Sequence, residues 1–371
     1  MSRANVRPFG GPFAVALVTL LLVACTAAAP SDGTPSVIPS AAPSGSSLSS
    51  ASPSPSGEQT DPDGNHVATG LALVQSPSAE SPLTEIFVVE PDGSLRQVTG
   101  LGDEPSVGAA RPSWSPDGKR IAFGPSALGS GALPAVLVVN ANGNRQQLIQ
   151  RLDVEEFSPI EWSAEGARLL YSDTTPPGDR RLWLADLLTG EIERVGTGSH
   201  PRWLPDGERI VYVHGVEGLV PGEPTALTTV VFVMDIADRV PREWALADNA
   251  HWSPDGEAVL IEDAGLLILA EPDGSGRREV AEGALPVWSP DGSRFAFLSG
   301  TDSDGRSLAS VMDRSGQEIW SGVVGSAMSW SPDGSRLAVQ VDYPERLVRV
   351  LDADTGKQLW ETAGAMPDWR P

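Results

Sequence analysis

The chain has 371 residues, 40% of them hydrophobic, with a single cysteine and a formal charge of −23. Its only lysines are Lys119 and Lys357, and so large an acidic excess excludes an electrostatic footprint for nucleic acid and repels anionic lipid headgroups. The acids are spread over many turns rather than gathered in a block, which fits solubility.

The first 24 residues carry Arg3 and Arg7, no acids, and an apolar stretch over 13–24, the layout of a secretory signal. The stretch is too short for an ordinary spanning helix, which needs about 20 apolar residues. Leu22-Val23-Ala24-Cys25 has the form of a bacterial lipobox, in which the Cys25 thiol takes a diacylglyceryl group and becomes the mature N-terminus. The formal charge is then −25, since Arg3 and Arg7 leave with the signal. Cleavage after Ala27-Ala28-Ala29 competes with this reading but places Pro30 directly after the cut; retention as an uncleaved anchor is the other alternative. Used for lipidation, the lone cysteine leaves no thiol to oxidise outside the cytosol. Two acyl chains also give the stable anchoring that one does not. Residues 25–62 then form a Ser/Ala/Pro-rich tether with too few large apolar groups to offset ordering entropy. As a flexible chain it spans roughly 35 Å.

From residue 63 onward one phrase recurs. WSPDG begins at Trp114, Trp252, Trp288 and Trp330, with variants at Trp162 (WSAEG) and Trp203 (WLPDG) and a truncated PDWRP around Trp369. Successive Trp spacings of 48, 41, 49, 36, 42 and 39 residues match the period of a propeller blade. Pro presets the first turn position and Gly supplies the left-handed residue, so Ser-Pro-Asp-Gly is a hairpin corner. Runs such as Ile121-Ala122-Phe123 and Phe295-Ala296-Phe297 follow it, apolar at consecutive positions as in strands covered on both faces. A third strand, ending in an acid or amide and a Gly turn, and a fourth complete each unit. Residues 67–100 hold three strands with no leading Trp unit, and 365–371 hold a leading unit with nothing after it. Joined, they make one composite blade that leaves no free sheet edge. The expectation is an all-β, seven-bladed β-propeller of four-stranded antiparallel blades over residues 63–371, closed by strands from both termini and monomeric.

The Trp-Ser-Pro-Asp-Gly unit resembles the TolB-like, or WD40-like Asp-propeller, repeats of TolB and of prolyl-oligopeptidase-type enzymes, over roughly 300 residues. The small α/β domain of TolB and the hydrolase domain of the peptidases have no counterpart here. The resemblance implies a protein-binding or scaffolding role in the bacterial envelope, with another envelope protein or a peptide segment reaching the channel as partner. It does not fix function, since one fold hosts many activities.

Candidate sites are few. The four histidines, His66, His200, His214 and His251, show no metal-ligand spacing, and there is no G-x-S-x-G elbow. The expectation is therefore no catalysis and no cofactor. The alternative is an extracytoplasmic small-molecule sensor or hydrolase-type enzyme working at the channel mouth. Asp302 and Asp304 copy part of a calcium loop without its third acid or closing Glu. Asp117, Asp206, Asp255, Asp291 and Asp333 are explained as turn residues. Of the eleven tryptophans, seven head the repeats; Trp244, Trp320 and Trp360 fall on outer strands and Trp183 on a third strand. A sugar platform requires two outer ones to share an exposed face.

Internal variation marks one position. Just before each motif Trp stand Ser113, Glu161, Arg202, His251, Val287, Ser329 and Asp368, whereas two before it stand Pro112, Ile160, Pro201, Ala250, Pro286, Met328 and Pro367. Alternation along a strand turns the first, polar set away from the packed face and toward the central channel. Glu161, Arg202, His251 and Asp368, with Ser113 and Ser329, are thus a candidate ring for a ligand or peptide, or a solvated lining of mutual ion pairs. Segments 124–134 and 214–228, with Leu128, Leu133, Val216, Leu219 and Val220, join the second and third strands of their blades, so both emerge on the same side of the disk as a second candidate surface.

Overall fold

The computed structural model describes residues 70–76, 84–100, 108–126, 135–151, 156–175, 179–217, 227–342 and 346–371. The signal segment, Cys25, the tether and the loop residues Leu128, Leu133, Leu219 and Val220 lie outside them.

The described strands form seven antiparallel sheets. Blade I is composite: Ala365–Trp369 from the end of the chain pairs with Leu71–Gln75, followed outward by Glu85–Val89 and Leu95–Gln97. Its closing register sets Leu71 opposite Trp369 and Ala72 opposite Asp368. The innermost strands of blades II to VII are Gly108–Trp114, Glu161–Trp162, Ser199–Trp203, Asn249–Trp252, Ala284–Trp288 and Met328–Trp330. Ala365–Trp369 touches both Gly108–Trp114 and Met328–Trp330, which closes the ring. The seven-bladed propeller with its composite blade stands as expected from the repeats.

Each corner is built by its own motif. In blade II, Ser115 N–H donates to the Arg120 carbonyl (2.9 Å) and Gly118 N–H to the Ser115 carbonyl (2.8 Å). Ser115 Oγ accepts from Arg120 N–H (3.0 Å) and donates to Asp117 Oδ1 (2.7 Å), which also accepts from Lys119 N–H (3.1 Å). Gly118 has φ +62, and a Cβ there would lie 2.9 Å from the Arg370 side chain, so glycine serves the turn and the neighbouring blade together. The following strand is buried on both faces: Ile121, Ala122 and Phe123 are 0% exposed. Burying each such large side chain contributes about 1.5–3 kcal/mol.

Two devices join blade to blade. The indole N–H of a motif Trp donates to the carbonyl just before the preceding blade's motif Trp: Trp162 to Ser113 (2.9 Å), Trp288 to His251 (2.9 Å), Trp330 to Val287 (3.0 Å) and Trp369 to Ser329 (3.1 Å). In addition, an Arg six residues after one motif Trp lies over the ring of the next. Arg120 stacks on Trp162, Arg168 on Trp203 and Arg294 on Trp330, at 4.9, 5.1 and 5.2 Å from the ring centres. In blade I, Arg370, directly after the motif Trp, covers Trp114.

The inner strands are irregular in a patterned way. Arg111, His200, Leu285 and Met366, each three residues before a motif Trp and directly before a proline, have φ of 52–53°. A register shift falls in each of these blades, as in a bulge that re-aims side chains at a barrel rim. In blade III the inner strand is broken instead, into Glu156–Phe157 and Glu161–Trp162 around Pro159, which has no N–H to pair.

Candidate functional site

The ring residues are not distributed alike. Glu161, Arg202 and His251 line one cavity of about 210 Å³, walled by Trp203, Trp252, Pro286 and Val287. Asp368 lies close enough to Glu161 for their charges to oppose each other. Ser113 and Ser329 do not line this cavity; their part is to offer carbonyls to Trp162 and Trp369. The charged ring members, Asp368, Glu161 and Arg202, therefore stand in blades I, III and IV next to His251 of blade V, while Ser113, Val287 and Ser329 in blades II, VI and VII are neutral.

His251 adds a feature that its place in the ring does not show. It lines the cavity but is only 4% exposed, and its Nε2–H donates to Glu262 Oε1 (2.6 Å). Glu262 accepts a second bond at Oε2 from the Leu285 N–H (2.9 Å). Two donors on one carboxylate fix the imidazole tautomer, and Nδ1 is buried without a partner. Burial holds the His251 pKa below its ordinary value, with the Arg202 charge acting the same way against the opposing pull of Glu262. Burial pushes Glu262 up, but its bond to His251, the Leu285 N–H and Arg202 together outweigh this and hold it below the usual range. Glu262 is missing from the sequence reading because it stands on the second strand of blade V, opposite Asn249, where it reads as the frayed end of an apolar run.

The acids facing it behave oppositely. Burial raises Glu161, and Arg202 only partly offsets that. Asp368 is pushed up to about 7, first by burial and then by Glu161, although its Oδ2 accepts the Trp114 backbone N–H at 2.7 Å. Arg202 lines the cavity with no hydrogen bond or ion pair to the described residues. At three ring members, Glu161, Arg202 and Asp368, the preceding-blade carbonyl receives no indole bond; the Trp203 and Trp114 N–H groups are buried unpartnered. The charged side of the ring coincides with the gaps in the stitching.

The remaining candidates are placed as follows. Asp302 accepts the backbone N–H of Asp304 and of Arg306 (2.9 Å each), and the Arg306 guanidinium pairs with both acids. No cluster of three or more His, Cys, Asp or Glu suited to a metal ion occurs among the described residues. The repeat acids are turn residues, as expected: Asp291, for example, takes Ser289 Oγ (2.6 Å) and Ser293 N–H (3.1 Å). The outer tryptophans do not share a face. Trp320 is buried and donates to Ala353 of blade VII (2.9 Å), Trp244 reaches Pro272 of blade V (3.2 Å), and Trp360 packs with Trp369 and Val350.

No family model matches the sequence, and no curated protein matches it. Solved structures do. TolB from Acinetobacter baumannii is similar at TM-score 0.51 and 16% identity, over 83% of this chain and 68% of that one. An oligogalacturonate lyase in complex with manganese gives 0.54 and 16%, over 79% and 85%. A prolyl endopeptidase gives 0.55 and 14%, over 79% of this chain and 50% of its own. These likenesses define the class, a seven-bladed propeller with the fold of TolB, and at such identities they carry the fold alone.

Proposed function

We propose that this chain is a non-catalytic binding module of the bacterial cell envelope, held at the outer face of a membrane through lipid on Cys25, with the charged side of the propeller channel as its recognition surface. The observation that supports it is the guanidinium of Arg202, set in a cavity beside Glu161 and His251 with its donors uncommitted. Arg in such a setting is suited to a carboxylate, which it grips with two parallel bonds. The partner is an envelope protein or peptide segment presenting such a group. The Cys25 anchor and the tether would hold the propeller within reach of it.

A second reading, an acid–base enzyme or small-molecule sensor at the same mouth, is favoured by one observation: Asp368 titrates near 7 beside the raised Glu161, and perturbed carboxyls gather at catalytic sites. Against it, the His251 imidazole is tied to Glu262, and no hydroxyl bonds to any base of the ring among the described residues.

Mild crosslinking in cells compares the parent with Arg202→Gln and Glu161→Gln, folded to the same melting temperature. A stoichiometric envelope protein captured by the parent and lost from Arg202→Gln is the expected result. Equal capture by all three places the interface elsewhere. Loss of a turnover in Asp368→Asn, with capture unchanged, replaces the binding reading with the catalytic one.

A further inference from the structure

The joint between blades IV and V is, among the described residues, the one that neither joining device closes. No guanidinium of the described residues covers Trp252, and its indole N–H reaches no acceptor among them. Arg209 holds the position from which Arg120, Arg168 and Arg294 reach the next blade. It turns back to its own corner and donates from Nε to Asp206 Oδ2 (2.6 Å). Leu204, 3% exposed, replaces the motif Ser, so Asp206 has no Oγ partner and takes the guanidinium instead. In blade III Arg168 is also held by an acid, Glu165 (2.9 Å), but that side chain is one methylene longer and leaves the guanidinium over Trp203.

The gap left behind is a groove of about 820 Å³, within the roughly 300–1,000 Å³ typical of ligand sites. Its apolar walls are Trp244 and Trp252, with ring centres 4.7 Å apart and planes at 57°, together with Pro205, Pro254 and Pro272. Its polar lining is rich in acceptors. Asp206 is engaged by Arg209 and Asp255 by Arg314 (2.6 Å), while Glu243 makes no hydrogen bond or ion pair with the described residues. Arg242 adds donors.

We propose that this groove binds a neutral oligosaccharide. The electron-rich face of an indole attracts the C–H face of a pyranose ring, and both Trp244 and Trp252 line the groove. Ring hydroxyls donate to Glu243 and Asp273 and accept from Arg242, a mixture that suits groups able to do both. The surrounding acids repel polyanions. The groove is also larger than a single quaternary ammonium group needs. Trp252 walls both this groove and the Arg202 cavity, but the two differ in ligand chemistry and the proposal does not rest on the channel reading.

Calorimetric titration of the full chain with maltotriose, cellotriose and triacetylchitotriose tests it, with tetramethylammonium chloride as the cationic probe. At least one trisaccharide is expected to bind saturably. Trp244→Ala should weaken it about tenfold or more, as loss of an aromatic anchor does, and Glu243→Gln should weaken it a few-fold. Arg202→Gln should leave it unchanged. Trp244→Phe, which keeps an aromatic ring in the packing, separates lost stacking from lost folding through its melting temperature. The proposal fails if none of the three sugars binds at millimolar concentration. It also fails if Trp244→Ala and Glu243→Gln bind as the parent does, or if tetramethylammonium binds where the sugars do not.

Discussion

Joints VI/VII and IV/V are built from the same motif and end in opposite states. At VI/VII the Trp330 indole donates to Val287 (3.0 Å) and Arg294 stacks on its ring. Arg294 also donates to the Gly334 carbonyl and to Asp354, at 2.6 Å each. At IV/V none of these contacts forms, and a groove opens between the blades. The difference shows that the repeat carries more than strands and turns: its Ser keeps the turn acid occupied, which frees the Arg to reach across. At IV/V Leu204 stands where that Ser would be and Arg209 stays on its own corner with Asp206, while the other joints keep the ring closed.

The largest expected effect comes from removing the ring at each joint. Trp330→Ala should cost roughly 3–5 kcal/mol, and Trp252→Ala less by about 1–2 kcal/mol, because it removes no indole hydrogen bond and no cation–π contact. Urea midpoints at constant m-value measure both, and equal losses break the comparison.

Next in size is the charged side of the ring. Asp368 is raised to about 7 in the folded protein from an ordinary 3.8, so the folded state holds its proton more tightly than the unfolded chain. That stabilisation is full below the ordinary value and is lost as pH rises through about 7. Asp368→Asn, which stays neutral and can still accept the Trp114 N–H, should remove a decline on the order of a few kcal/mol between about pH 4 and pH 8. Parent and variant profiles that run parallel over that range contradict the burial argument.

A smaller contrast lies in the arginines. Arg294→Ala should cost about 1–2 kcal/mol through lost stacking and hydrogen bonds. Arg209→Ala, which removes an exposed pair, should stay within about 0.5 kcal/mol. Similar losses in the two variants would mean that the cross-joint contacts add nothing.

Much of this was legible in the sequence. The Trp spacing and the Ser-Pro-Asp-Gly corner define blades because both are local signals: the turn residues act on their own backbone, and the strands that follow are buried on both faces. The variable position before each Trp was legible as a ring, since strand alternation gives it one direction. Side-chain partners across strands were not. Glu262 meets His251 only through strand pairing, which the sequence position of neither residue reveals. The bulges had a signal that was not used, since Pro112, Pro201, Pro286 and Pro367 mark the same four blades as the left-handed residues before them. The recurring Arg six residues after the motif Trp was another such signal, visible in the repeat but uninformative until the next blade is seen beside it.

The most direct test is hydrogen exchange at the indole N–H groups, resolved by ¹⁵N-labelled tryptophan spectra of the folded protein. The account predicts strong protection at Trp162, Trp288, Trp330 and Trp369, whose indoles are bonded across joints, and exchange close to that of free indole at Trp252. Protection of Trp252 equal to that of Trp330 would mean that joint IV/V is closed in solution, and would contradict both the open joint and the site proposed within it.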